Sequence, residues 1–262
     1  LRPSFAAAGL ELVEIDWRAP SEAFDGIALV MLGTAWDYQD HPEDFIARLD
    51  ALAARGIIVC NPPDAVRWNA DKRYLRELEA RGAVTVPTLW QEDCDRAGVV
   101  AAMDHFGTDR VVVKRQVGAG GLGQHSFTRE SLPAAEWRMG RVCMVQPFLP
   151  GVVEEGEYTL VFIEGVFSHG VLKRAAEGEY RIQSLYGGYE CAYEPNPADL
   201  AAAQIVVDAL PFDDLLYVRI DMVRLASGEL AVMEAELIEP YLYPQQGPDL
   251  GKRLARAILA RL

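Results

Sequence analysis

Cysteine is scarce in this 262-residue chain. Cys60, Cys94, Cys143 and Cys191 are scattered, and no two form a Cys-x-x-Cys pair. That spacing excludes a zinc ribbon or a disulfide framework and fits reduced thiols in a cytoplasmic protein. Basic residues are also in deficit, 25 against 39 acids, for a net charge of −14. So acidic a surface argues against non-specific nucleic-acid binding and against an anionic membrane as partner, while leaving room for a local cationic pocket. No apolar run reaches the ~20 residues that a membrane-spanning helix needs. The four histidines, His41, His105, His125 and His169, have no metal-ligand spacing.

What is present reads as a globular α/β chain, half of it hydrophobic. Helix is expected near Arg2–Gly9, strands over Glu11–Asp16 and Gly26–Gly33, a helix over Pro42–Gly56 with Phe45, Leu49 and Leu52 on one face, and a strand over Ile57–Cys60. This βαβ alternation predicts an open parallel sheet, with its opening strand expected upstream of Leu1. After the break at Asn61-Pro62-Pro63, a helix is expected over Trp68–Arg81, a strand over Thr85–Leu89, a helix over Val99–Phe106, and strands over Val111–Lys114 and Val142–Phe148. A hairpin follows over Tyr158–Ile163 and Val166–Lys173, then helices over Pro197–Leu210 and Gly251–Leu262.

The stretch Tyr217–Pro240, YVRIDMVRLASGELAVMEAELIEP, carries most chemistry. Two β-prone runs flank a Ser227-Gly228 turn. Alternate strand residues share a face, so Glu234 and Glu236 point the same way, and a hairpin brings Asp221 beside them. Three carboxylates in an apolar hairpin repel one another and lose hydration. A hard divalent cation would compensate them and is favoured over the plainer reading, ion pairs with Arg219 and Arg224.

Other segments are weaker alone. In VVVKRQVGAGGLGQ, glycines 118, 120, 121 and 123 let backbone amides approach an anion, and Lys114 adds charge. No Lys-Ser or Lys-Thr follows, so this is not a Walker A loop. A flap over phosphates and a plain turn stand on equal footing. Lys72 by itself reads as a solvated lysine, and Gln146-Pro147-Phe148-Leu149 as the end of a core strand, though such a segment can also wall a flat base. Glu154, Glu155 and Glu157 follow, one of them able to hold a ribose hydroxyl. Lys173, Arg174 and Arg181, with Gln183 and Gly187-Gly188, suit a carboxylate or phosphate substrate, or equally a solvated face beside Glu177 and Glu179. Ser168-His169 is the one histidine pair kept as a substrate-site candidate.

Taken in order, Lys72, Lys114 with GAGGLG, QPFL, Glu157, Lys173-Arg174, Arg181 to Gly188, Arg219-x-Asp221 and Glu234-x-Glu236 resemble the ATP-grasp superfamily, in its bacterial glutathione-synthetase-like branch. NPPDAVRWNADKRYL and FSHGVLKR resemble a sub-branch that includes the cycloserine-forming ligase. The likeness covers nearly the whole chain. It implies a Rossmann-like pre-ATP-grasp domain over residues 1–66 and an ATP-grasp domain over 67–262, with a lid at about 84–147.

The resemblance also implies roles. Lys72 and Lys114 hold nucleotide phosphates under a flap containing Gly118, Gly120 and Gly121. Gln146, Phe148 and Leu149 bound the adenine, and Glu157 binds the ribose. Asp221, Glu234 and Glu236 hold magnesium, two ions per site, with manganese as an alternative. Arg219 with Lys173 or Arg174 stabilises the transferring phosphoryl group, and His169, Arg181, Gln183 and Gly188 contact substrate. Two departures stand out: Arg115 where relatives have proline, and Glu236 where many have asparagine. The implied activity is an ADP-forming carboxylate–amine ligation of a small amino-acid or peptide-like substrate, in a cytoplasmic enzyme, with the homodimer common among resembling enzymes as the implied assembly. The alternatives are a non-catalytic ATP sensor and a ligase acting on a peptide or protein terminus.

Overall fold

The computed structural model of the protein describes residues 1–118, 123–175 and 187–262. Its centre is a five-stranded antiparallel sheet in the order β11-β10-β7-β8-β9. The strands are β7 (Glu157–Ile163), β8 (Val166–Arg174), β9 (Tyr189–Tyr193), β10 (Tyr217–Arg224) and β11 (Leu230–Glu236). Glu164 and Gly165 join β7 to β8 with φ of 52° and 72°. Both central residues of a type I′ turn need positive φ, which suits the twist of the flanking strands.

The period-2 alternation sorts this sheet into two faces. Even-numbered residues Tyr158, Leu160, Phe162, Val218, Ile220 and Met222 pack with Tyr74, Leu75, Leu78, Ala203 and Val206. Those partners come from helices α4 (Tyr74–Ala80) and α7 (Pro197–Asp208). The odd face is divided. Val161, Ile163 and Tyr217 meet Leu250, Leu254 and Ile258 of α8 (Leu250–Leu259), an i, i+4, i+8 stripe, with Phe5 of α1 (Arg2–Ala7) beside them. The rest of that face carries Glu157, Thr159, Arg219 and Asp221.

A second antiparallel sheet, in the order β3-β6-β4-β5, comprises β3 (Leu89–Gln91), β4 (Arg110–Arg115), β5 (His125–Thr128) and β6 (Cys143–Pro147). Helix α5 (Arg96–Phe106) covers it, and Val99, Met103, Val111, Val113, Cys143 and Val145 form its core. β4 and β5 pair as a hairpin, so the glycine segment joins two strands rather than a strand and a helix. Val232 N–H donates to Val84 O at 2.8 Å, tying the approach to this sheet onto the edge of β11.

The N-terminal region pairs β1 (Leu29–Met31) and β2 (Ile58–Cys60) in parallel around α2 (Pro42–Ala54). Glu11–Asp16, expected as a strand, forms no ladder among the described residues. The sheet here has two strands, and most pairing elsewhere is antiparallel, so the described architecture is α+β around a small βαβ unit. The expected helix over Trp68–Arg81 is two helices, α3 (Pro63–Asn69) and α4. Asp71 causes the break: its carboxylate accepts the Arg73 N–H at 2.9 Å, an Asx turn that interrupts the helical ladder. Pro63 begins α3, where a missing N–H costs nothing. Thr85 makes an isolated bridge to Val232, and the strand expected there is displaced to β3. The short helix α6 (Gly151–Glu154) and strand β9 were not expected.

Candidate functional site

Strand register assembles the charges. Arg219 stands opposite Glu236, and Asp221 opposite Glu234, across β10 and β11. Asp221 faces Thr159 on β7, and Glu157 faces Lys173 on β8. All these side chains share the odd face of the sheet. A bulge follows directly: Met222 pairs with Val232, leaving Met233 as the extra residue beside Glu234.

Asp221 is the hub and is nearly buried. Its carboxylate accepts from Arg219 Nη2 at 2.7 Å, Thr159 Oγ1 at 2.5 Å and Lys173 Nζ at 3.2 Å. Burial alone would raise its pKa, but Arg219 and Lys173 hold it well below the usual carboxylate range. Lys173 also pairs with Glu157, and Arg219 with Glu236. Burial pulls the Lys173 ammonium down, yet Asp221 and Glu157 keep it above the ordinary lysine value. Lys72 Nζ lies 2.8 Å from Glu234 Oε1 and also donates to Gly118 O at the flap base. Lys114 joins the same field: burial lowers its pKa, against the pull of Glu234 and Glu157.

The ion-pair reading of the hairpin therefore holds for Arg219. Arg224 instead binds Glu155 and Asp199, on the opposite face. No three acids among the described residues form a ready cage for a metal ion. Glu234 turns to Lys72 and Glu236 to Arg219. The donor set nonetheless fits a hard cation. Burial first, and then the neighbouring carboxylates, push Glu236 up to about 7 and Glu239 up to about 8, so a cation beside them would favour their charged forms. A divalent ion would take these carboxylates by exchange with Lys72 and Arg219.

Side chains that motif reading did not single out hold the acidic strand in place. Asn69 accepts from Leu237 N–H at 2.9 Å and donates to Ala235 O at 2.7 Å, completing the outer edge of β11. Tyr74 Oη accepts the Ala235 N–H at 3.0 Å. Fully buried Asn61 donates to Tyr217 O and Leu237 O at 2.9 and 2.8 Å and accepts from Leu216 N–H at 2.8 Å. An asparagine that copies a strand edge has no sequence signature of its own. Asn69→Ala is expected to cost about 2–3 kcal/mol in urea denaturation, since two buried backbone groups lose their partners. A change within a few tenths of a kcal/mol would show that water replaces the amide.

Other expected residues are distributed unevenly. Glu157 and Lys173 enter the cluster, but Arg174, the next residue on the strand, points to the other face and donates to Glu155 O at 3.1 Å. It is therefore not brought to the charges. Gln146 is buried and donates to Thr88 Oγ1 at 2.9 Å. The Arg110 guanidinium lies 3.6 Å from the Phe148 ring centre, and Leu149 packs near Val86 and Val223. Gly118 is at φ 149°. Gly120, Gly121, Arg181 and Gln183 lie outside the described residues, and Gly188 just inside them. Gly123 (φ 69°) leaves room for Arg115, whose guanidinium a Cβ there would strike.

His169 is buried, with both ring nitrogens engaged. Nε2 donates to Leu242 O at 2.9 Å and Nδ1 accepts from Ser168 Oγ at 3.0 Å, the neutral tautomer that burial favours. It anchors the segment after β11, where Gly247 packs against its ring too closely for any Cβ. That segment carries Tyr243, buried at φ 49°, with its ring 5.7 Å from both Lys173 and Arg219. Positive φ in a bulky residue costs roughly 1–3 kcal/mol and tends to mark functional positions.

Residues 1–61 match a family model described as D-cycloserine synthetase DcsG, N-terminal domain. The cycloserine biosynthesis protein DcsG of Streptomyces lavendulae is 28% identical over 97% of this chain and 90% of its own length. A crystal structure of D-cycloserine synthetase DcsG superposes with a TM-score of 0.85 at 24% identity, covering 99% and 92% of the two chains. A glutathione synthetase of Parasynechococcus marenigrum (strain WH8102) is 29% identical over 75% of this chain and 65% of its own length. The ATP-grasp ligase PsnB, solved with a phosphomimetic variant of its minimal precursor, Mg and ADP, gives a TM-score of 0.70 at 19% identity, covering 99% and 93%. No helix among the described residues is long and apolar enough to cross a membrane. The chain thus has the fold of the ATP-grasp ligases among these structures, and in sequence it is similar to DcsG over nearly its whole length and to a glutathione synthetase over three quarters of it.

Proposed function

We propose that the chain is an ATP-dependent carboxylate–amine ligase. The observation that carries this reading is the convergence of Lys72, Lys173 and Arg219 with Asp221, Glu234 and Glu236 on one face of the central sheet. Phosphoryl transfer asks for positioning and for fixed charge on the spreading negative charge, rather than for a covalent nucleophile from the protein.

A substrate carboxylate oxygen attacks the γ-phosphorus of ATP. The bond to the β,γ-bridging oxygen breaks and ADP departs. The amine nitrogen then attacks the carbonyl carbon of the acyl phosphate and loses a proton, and the carbon–oxygen bond to phosphate breaks. Lys72 and Lys114 hold phosphate oxygens, and Lys72 also fastens the flap base through Gly118 O. Arg219 and Lys173 face the transferred group. Magnesium, held by Asp221, Glu234 and Glu236, would neutralise charge on the phosphates. In this reading residues 84–147 are a lid, 67–262 the ATP-grasp domain, and residues 1–66 contribute to the substrate site. The acceptor is a small molecule in the cytoplasm, in keeping with four free cysteines.

The expected result is ADP release that requires Mg²⁺, a carboxylate and an amine together. Transfer of ¹⁸O from labelled carboxylate into phosphate tests the acyl phosphate. ADP formation without label transfer would overturn that intermediate, and no ADP formation with any acid and amine would favour a nucleotide sensor.

A further inference from the structure

Lys72 and Lys114 come to the charged face from different sheets. Lys72 sits in the turn between α3 and α4, and α4 packs on the central sheet, whereas Lys114 lies near the end of β4 in the second sheet. Their like charges repel. Burial lowers the Lys114 pKa, and the Lys72 ammonium lowers it further, against the pull of Glu234 and Glu157. Glu234 attracts both lysines, but in the ligase reading that carboxylate passes to magnesium. Another tie must then keep Lys72 in place.

Gln116 supplies it. Strand alternation puts Gln116 on the same face as Lys114, and it is 7% exposed. Its Nε2 donates to both carboxylate oxygens of Asp71, at 2.9 Å each. Its backbone O accepts the Lys72 N–H at 3.1 Å. Lys72 Nζ donates to Gly118 O, so the Asp71-Lys72 turn is fastened along the chain from Gln116 to Gly118. Asp71 also accepts from Arg73, N–H at 2.9 Å and Nε at 3.0 Å. Burial would raise its pKa, but the bonds from Arg73 and Gln116 hold it below the usual carboxylate range. The amide of Gln116 therefore meets an ionised acceptor, which makes a stronger hydrogen bond than a neutral one.

We propose that Gln116 is a positioning residue for the nucleotide: through Asp71 it sets Lys72 in register with Lys114, so that both ammonium groups meet the phosphates of one bound ATP. This rests on the ligase reading and names a residue that tunes its nucleotide affinity without touching the nucleotide. The Asx turn that separates α3 from α4 thereby acquires a second task, as the anchor for this contact.

The test is isothermal titration of the full chain with AMPPNP in Mg²⁺ and, separately, with adenosine. Gln116→Glu sets a second carboxylate against Asp71 and is expected to weaken AMPPNP about tenfold. Adding Asp71→Asn restores the hydrogen bond with donor and acceptor exchanged and keeps an oxygen for the Arg73 N–H. Affinity is then expected to return to within about threefold of wild type. Adenosine brings no phosphate to Lys72, so it is expected to bind all three proteins alike. Gln116→Met keeps the length of the side chain without its amide and adds no charge. It is expected to weaken AMPPNP by a smaller factor and serves as the test if Gln116→Glu does not fold. Wild-type AMPPNP affinity in the folded variant, no recovery on adding Asp71→Asn, or an equal loss for adenosine would overturn the proposal. Failure of wild type to bind AMPPNP would instead overturn the ligase reading beneath it.

Discussion

Arg219→Ala is expected to destabilise the metal-free protein by about 3–5 kcal/mol and to slow amine-dependent ADP release by a factor on the order of 10²–10³. Arg219 is 7% exposed and bridges Asp221, Glu236 and Tyr241 O, the last at 3.2 Å. Its removal strands two carboxylates in an apolar sheet and frees the segment that carries Tyr243. Cations in excess should repair the first loss but not the second. Denaturation with and without Mg²⁺ is therefore the informative pair, and the deficit is expected to shrink when Mg²⁺ is present. An equal deficit in both conditions would show that Mg²⁺ does not meet these acids. Unchanged stability would show that the guanidinium does not hold the cluster together. Arg219→Lys keeps the charge but loses the fork that spans two acids, so an intermediate result is expected.

Asp221→Asn is expected to abolish ligation and to cost about 3 kcal/mol or more near neutral pH, because Arg219 and Lys173 lose a shared buried partner. Acid dependence offers a sharper check. Arg219 and Lys173 depress the folded pKa of Asp221 below its unfolded value of 3.8. The stabilisation is complete above the ordinary carboxylate range and fades as the pH falls through and below it. Wild type should lose unfolding free energy between about pH 5 and pH 3 more steeply than Asp221→Asn. Parallel slopes would show that Asp221 does not carry that charge. Glu236 acts in the opposite sense. Burial raises it to about 7, so its ionisation costs stability as the pH rises through that value, and Mg²⁺ should relieve that cost.

Much of the site is legible along the chain because β-strands write their faces with period 2. Glu234 and Glu236 had to share a side, and the Ser227-Gly228 turn had to bring Asp221 near them. Lys173 and Arg174 could not both face the charges, for the same reason, but choosing between them needed the register opposite Glu157. Arg224, equally plausible as a partner for the hairpin acids, lies on the wrong face. The helix break at Asp71 was missed because its apolar pattern runs on through both halves, while one Asx turn redirects the backbone and delivers Lys72 to Glu234. Asn61, Asn69 and Tyr74 act through single hydrogen bonds to backbone groups far away in sequence, which leave no periodicity to read.

The amino-acid sequence by itself determined the acidic hairpin, the glycine segment between two strands, the cation set and the ordered motifs that resemble those of ATP-grasp proteins. These follow from local geometry and from the order of residues. Only the tertiary structure decided which cation answers each acid, that the Tyr243 ring lies 5.7 Å from both Lys173 and Arg219, and that Trp36 is tied to the turn at Glu239. Pairing depends on distances across separate strands and on the water excluded between them, and those exist only once the chain has packed.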